Sequence, residues 1–87
     1  MPSPYQLIIQ PTAERNIRSL PKDDIRRITH RIQLLPATPR PPGCKKLGEP
    51  DIYRVRQGDY RILYRVDDET RSVTILKVGH RHEVYRS

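Results

Sequence analysis

The hydrophobic period of this chain changes from helical to strand-like at a proline-rich break, and that change limits the folds open to it. Before the break, Ala13, Ile17 and Leu20 recur at i, i+4 and i+7, which is helical spacing. Ile25, Ile28, Ile32 and Leu35 then recur at i, i+3, i+7 and i+10, one apolar stripe on an otherwise polar helix that must pack on something. Pro36, Pro39, Pro41, Pro42 and Gly43 forbid the helix to continue and predict a stiff, extended connector. Beyond them the period is two, and Ile52–Gln57, residues 60–66 and residues 73–78 read as strands. A short strand over residues 5–10, with Tyr5, Leu7 and Ile9 on one face, precedes the helices. Thr12 is the expected N-cap of the first helix. Pro21 suits the first position of the second, and Asp23 and Asp24 suit its positive end. The expectation is a single α+β domain over residues 1–87, with two N-terminal helices packed on one face of a small antiparallel sheet, in the order βααβββ.

Charge narrows the partners. The 87 residues carry 17 Lys and Arg against 10 Asp and Glu, a formal net charge of +7. The excess is densest in residues 40–66, where seven basic residues face three acidic ones, and it vanishes over residues 67–87, four against four. A basic patterned domain favours an acidic partner such as nucleic acid. Five tyrosines are the whole aromatic supply, with no Trp or Phe, which argues against an internal cavity for a large cofactor. Cys44 is the only cysteine, so neither an intramolecular disulfide nor a cysteine metal site is available, and no metal or cofactor is expected. No stretch approaches the roughly 20 apolar residues that span a bilayer, and the N-terminus lacks a signal-like apolar core, so a soluble cytoplasmic protein without membrane contact is expected.

The central hairpin concentrates the charge. With Gly58-Asp59 as a two-residue turn, Gln57 pairs with Tyr60, Arg56 with Arg61 and Arg54 with Leu63. Alternation then puts Tyr53, Val55, Tyr60, Ile62, Tyr64 and Val66 on one face, to lie against the helices. Arg54, Arg56, Arg61 and Arg65 share the other with Ile52 and Leu63. Arg56 directly opposite Arg61 is unfavourable by about 0.2–1 kcal/mol relative to a neutral pair. A polyanion over the face converts that repulsion into attraction. The chain then gathers Gly79, His80, Arg81, His82, Glu83 and Tyr85 within a few residues, and His80 and His82 are general acid or base candidates on chemistry alone.

These residues carry a resemblance. Tyr53-Arg54-Val55-Arg56-Gln57-Gly58-Asp59-Tyr60-Arg61-Ile62-Leu63-Tyr64-Arg65-Val66 resembles the central hairpin of RelE/ParE toxins. Val78-Gly79-His80-Arg81-His82-Glu83-Val84-Tyr85 resembles the end of their last strand, and Lys46-Leu47-Gly48 also fits. The Gly-His-Arg…Tyr ending points to the RelE branch. The resemblance implies a type II toxin–antitoxin toxin, a metal-independent endoribonuclease that cleaves mRNA in the ribosomal A site and is neutralised by a cognate antitoxin. An acidic amphipathic antitoxin segment suits the basic site. The matching positions are Arg54, Arg56, Arg61, Arg81 and Tyr85 as catalytic residues, with His82 a further acid or base. Arg54, Arg56, Arg65, Lys45 and Lys46 would bind RNA. Relatives carry lysine where this chain has Arg54 and Arg56, so the general base stays open between Tyr85 and His82. Two other readings remain: a ParE-like inhibitor of DNA gyrase without nuclease activity, and an RNA-binding module without chemistry.

Overall fold

The computed structural model describes residues 4–80. The elements are β1 (Gln6–Ile9), α1 (Pro11–Arg18), α2 (Lys22–Leu34), β2 (Lys45–Lys46), β3 (Ile52–Gln57), β4 (Tyr60–Asp67) and β5 (Ser72–His80). They form one five-stranded sheet in the order β1-β5-β4-β3-β2, with α1 against β5 and α2 against β3. The α+β architecture and the two helices agree with the sequence reading. The sheet is mixed, however: β3, β4 and β5 run antiparallel, but β1 pairs with β5 in parallel, Leu7 opposite Val73 and Ile9 opposite Ile75. Alternation identifies a strand without naming its partner. Here the helices carry the chain across the sheet, and β1 is left at the edge beyond the last strand.

The helix starts follow proline more than side-chain caps. Pro11, whose fixed φ suits the first turn, opens α1. Gln10 is the N-cap and Thr12 lies inside the helix, so the expected Thr12 cap is not formed. Pro21 is the N-cap of α2 instead of its first residue, with Asp23 and Asp24 in the first turn as expected. The stripe on α2 is buried: Ile28, Ile32 and Leu35 are at most 1% exposed. They meet Tyr53, Val55, Ile62, Tyr64, Val66, Val73, Ile75 and Val78 from the sheet. Full burial of each aliphatic side chain is worth about 1.5–3 kcal/mol, so this seam is a principal source of the fold's stability.

The proline-rich segment turns back on the sheet and does not run extended. Its backbone carbonyls find partners there. The Tyr5 amide donates to the Pro36 carbonyl at 2.9 Å, and the buried Tyr64 hydroxyl donates to the Pro39 carbonyl at 2.8 Å. Arg40 donates from Nε to the Tyr53 hydroxyl at 2.8 Å and reaches Asp68 with both terminal nitrogens, at 3.2 and 2.8 Å. The Tyr5 hydroxyl donates to the same carboxylate at 2.6 Å. Proline limits the backbone of this segment, while its direction is set by these tertiary bonds.

Candidate nucleic-acid interface

The hairpin has the register expected of it. Gly58 takes φ 61°, a conformation open to glycine at little cost, and the chain reverses over Gly58-Asp59. Arg56 stands opposite Arg61, Arg54 opposite Leu63, and Ile52 opposite Arg65. Tyr53 stands opposite Tyr64, and their rings stack at 5.9 Å on the core side. The four arginines therefore share the face turned away from the helices. Arg56 and Arg65 are exposed, Arg61 is half-buried, and Arg54 is only 7% exposed. A hollow of about 130 Å³ lies between Arg56, Arg61 and the turn residues Gly58 to Tyr60.

The neighbouring strands extend this face unequally. Lys45 on β2 pairs with Arg54 and joins the arginines, whereas Lys46 pairs with Tyr53 and falls to the other side of the sheet. Gly79 on β5 pairs with Arg61, so the residue directly opposite it on that strand carries no side chain. His80 pairs with Tyr60 on the helix-bearing face, with their rings edge to face at 6.0 Å. It lines a cavity of about 300 Å³ with Asp24, Arg27 and Gln57, where the Tyr60 hydroxyl donates to Asp24 at 3.1 Å. His80 thus belongs to a different face from the arginines. Arg81, His82 and Tyr85 lie outside the described residues.

One cation on the basic face escaped the sequence reading. Counting by twos from Val73 and Ile75 sends Lys77 into the core. The register with β4 shifts between Leu63 and Tyr64, so that Leu63 pairs with Lys77 while Tyr64 pairs with Ile75. Leu76 is the extra residue of a β-bulge. Val78 consequently faces the core at 3% exposure, and Lys77 faces the arginines. The signal in the sequence was the parity break itself: Val73 and Ile75 are odd, Val78 is even.

A five-stranded mixed sheet under two N-terminal helices, with an arginine-rich hairpin at its centre, can be compared with known proteins as a whole. The family model described as the ParE toxin of type II toxin–antitoxin systems, parDE, matches residues 7–85. The chain belongs to the RelE/ParE toxin superfamily. As such it is a toxin of the type II toxin–antitoxin class. A curated superfamily relative, toxin RelE of Mycobacterium tuberculosis, is 30% identical over 89 aligned residues, covering 95% of this chain and 88% of the relative. Among solved structures, the toxin–antitoxin complex RelBE2 of M. tuberculosis superposes with a TM-score of 0.78 at 33% identity, covering 90% of this chain and 99% of that one. The RelE–RelB complex of Pyrococcus horikoshii OT3 gives 0.80 at 33% identity, covering 91% and 97%. These superfamily structures share the two-helix, mixed-sheet architecture, so the basic face sits on a scaffold common to RelE toxins.

Proposed function

We propose that this RelE/ParE toxin is a ribosome-dependent endoribonuclease that cleaves mRNA in the ribosomal A site and so stops translation. The observation that carries the reading is the alignment of Arg54, Arg56 and Arg61 on one sheet face, with Arg56 directly across from Arg61 on β3 and Gly79 directly across from it on β5. Stability alone disfavours two guanidinium groups at one rung; a phosphodiester bound there makes them an asset. The RNA 2′-OH attacks the adjacent phosphorus, the bond to the 5′ oxygen breaks, and a 2′,3′-cyclic phosphate and a 5′-OH result. The nucleophile belongs to the substrate, so the chemistry asks the protein for alignment, charge stabilisation and proton transfer, and no metal is required for attack. Arginine suits the charge: it stays protonated, and its planar fork matches two phosphate oxygens. Arg61 stabilises the charge developing on the phosphoryl oxygens, with Arg54 and Arg56 beside it and Arg81 completing the set. Tyr85 or His82 serves as base. Lys45 and Arg65 hold flanking phosphates. The ribosome supplies substrate alignment, worth several kcal/mol in such reactions and about 7–11 at the limit.

The relatives solved with RelB support an antitoxin partner for this chain as well. On this reading an acidic amphipathic segment of that partner covers apolar sheet or helix surface and neutralises or displaces the basic site. The site of action makes it a cytoplasmic protein. Among the described residues no helix is long and apolar enough to cross a membrane.

A second reading has its own support, because the matching family model is that of ParE toxins. On it the chain inhibits DNA gyrase and cuts no RNA. Mapping RNA 5′ ends on purified translating ribosomes separates the two. The nuclease gives sharp, codon-aligned ends, and Arg61→Ala lowers their rate of appearance about 10²–10³-fold, the usual effect of losing one donor to a developing oxyanion. Blocked gyrase supercoiling with no new RNA ends would overturn the nuclease reading.

A further inference from the structure

We infer that Lys77 is the proton donor to the leaving 5′ oxygen; the inference rests on the ribonuclease reading above. Breaking the phosphorus–O5′ bond leaves an alkoxide that must take up a proton. The four arginines of the face cannot supply it readily, because a guanidinium holds its protons at any physiological pH. Lysine is different: its ammonium is charged at neutral pH yet gives up a proton to a stronger base. Among the described residues this face has two lysines. Lys45 is exposed on the two-residue edge strand β2. Lys77 is half-buried in the middle of the sheet, on the strand that also brings Gly79 beside Arg61.

The backbone is arranged to put it there. Without the bulge at Leu76, Lys77 would continue the core side begun by Val73 and Ile75. With it, Lys77 stands next to Leu63, diagonal to Arg61 and one strand further from Arg54. Neighbouring strands are about 4.8 Å apart and residues two apart on one face about 6.7 Å, so the amine reaches the phosphate that Arg61 holds. Helix α1 holds the segment after the bulge, since Asn16 Oδ1 accepts the Val78 amide at 3.1 Å. Bulges that re-aim a side chain are over-represented beside active sites. Among the described residues, the charged groups on the face around Lys77 are Arg54 on β3, Arg61 and Arg65 on β4, and Lys45 on β2. β1 offers only Gln6 and Ile8 on this face, opposite Ser72 and Thr74. Among the described residues the nearest carboxylate on the face, Asp67, is at the far end of β4 and accepts the Glu69 and Thr70 amides at 3.0 and 3.1 Å.

In the step itself the 2′ oxygen bonds to phosphorus and its proton passes by way of the base to solvent. The bond to O5′ breaks with its electron pair, and that oxygen takes a proton from the Lys77 ammonium. The neutral amine is reprotonated from solvent, so protons balance over the turnover.

A sulfur leaving group needs no such proton, and this gives the test. Ribosomes are programmed with mRNA carrying either the ordinary linkage or a 5′-bridging phosphorothiolate at the cut site. Lys77→Met is expected to slow cleavage of the ordinary linkage about 10²-fold or more, within the range for general acids, and to cut the sulfur linkage within a few-fold of the unaltered toxin. Lys77→Arg, which keeps the charge, is expected to be slowed on oxygen and normal on sulfur. Equal losses on both linkages would reduce Lys77 to a charge or a structural residue, and undiminished cleavage of the ordinary linkage would remove it from the site; either overturns the inference. An unaltered toxin that cuts neither linkage sinks the ribonuclease reading itself, whereas a cutting toxin indifferent to Lys77→Met sinks only this inference.

Discussion

Tyr64 shows how one side chain joins sequence pattern to tertiary structure. Alternation assigns it to the core face, and it is fully buried there, stacked on Tyr53. Its hydroxyl could not remain in that setting without a partner, and the Pro39 carbonyl provides one. Burial pushes the phenol above its ordinary pKa, so it stays a donor through the neutral range. Tyr64→Phe keeps the ring and removes the bond. The expected cost is about 0.5–1.5 kcal/mol, read from the urea midpoint at unchanged slope. An unchanged midpoint would mean the Pro39 carbonyl is equally well served by water and that the bond does not hold the connector.

At the scale of the element, the β3–β4 hairpin is where stability and function pull apart. Its core face was legible from the sequence because Val55, Ile62, Tyr64 and Val66 alternate cleanly, and a register slip of one residue would expose all of them. Its outer face repeats one charge. Arg56→Glu replaces repulsion across the Arg56–Arg61 rung by attraction, so the variant should be more stable by about 0.2–1 kcal/mol in chemical denaturation. The same change puts a carboxylate where a phosphate must lie, and cleavage on ribosomes should fall at least 10²-fold. A variant more stable and fully active would show that the arginine rung has no part in binding RNA. Strand β5 was less legible. The bulge at Leu76 changes parity part-way along it, and period-two counting has no means of marking an inserted residue except by the clash it produces at Val78.

Across the whole molecule, Asp68 gathers segments that are distant in the chain. It lies in the β4–β5 turn and accepts from Arg40 of the proline-rich connector and from Tyr5 ahead of β1. The hydrogen bonds from Arg40, first, and from Tyr5 hold its carboxyl below the ordinary 3.8. A depressed folded-state pKa stabilises the fold above the unfolded value, and that contribution disappears as pH falls through the folded value. The thermal midpoint of the unaltered chain should therefore drop faster than that of Asp68→Asn below pH about 4, with the difference shrinking in high salt because the group is exposed. Parallel curves down to pH 2 would mean the clasp contributes nothing to the fold.

The sequence by itself determined that two helices precede the sheet, that β3 and β4 alternate, where the hairpin turns and that its arginines share a face, because each of these is a local regularity of backbone period and turn chemistry. Only the tertiary structure decided the parallel pairing of β1 with β5, the folding-back of the connector and the transfer of Lys77 to the basic face. Strand partners, carbonyl acceptors and bulges depend on contacts between residues far apart in the chain, which no local period encodes.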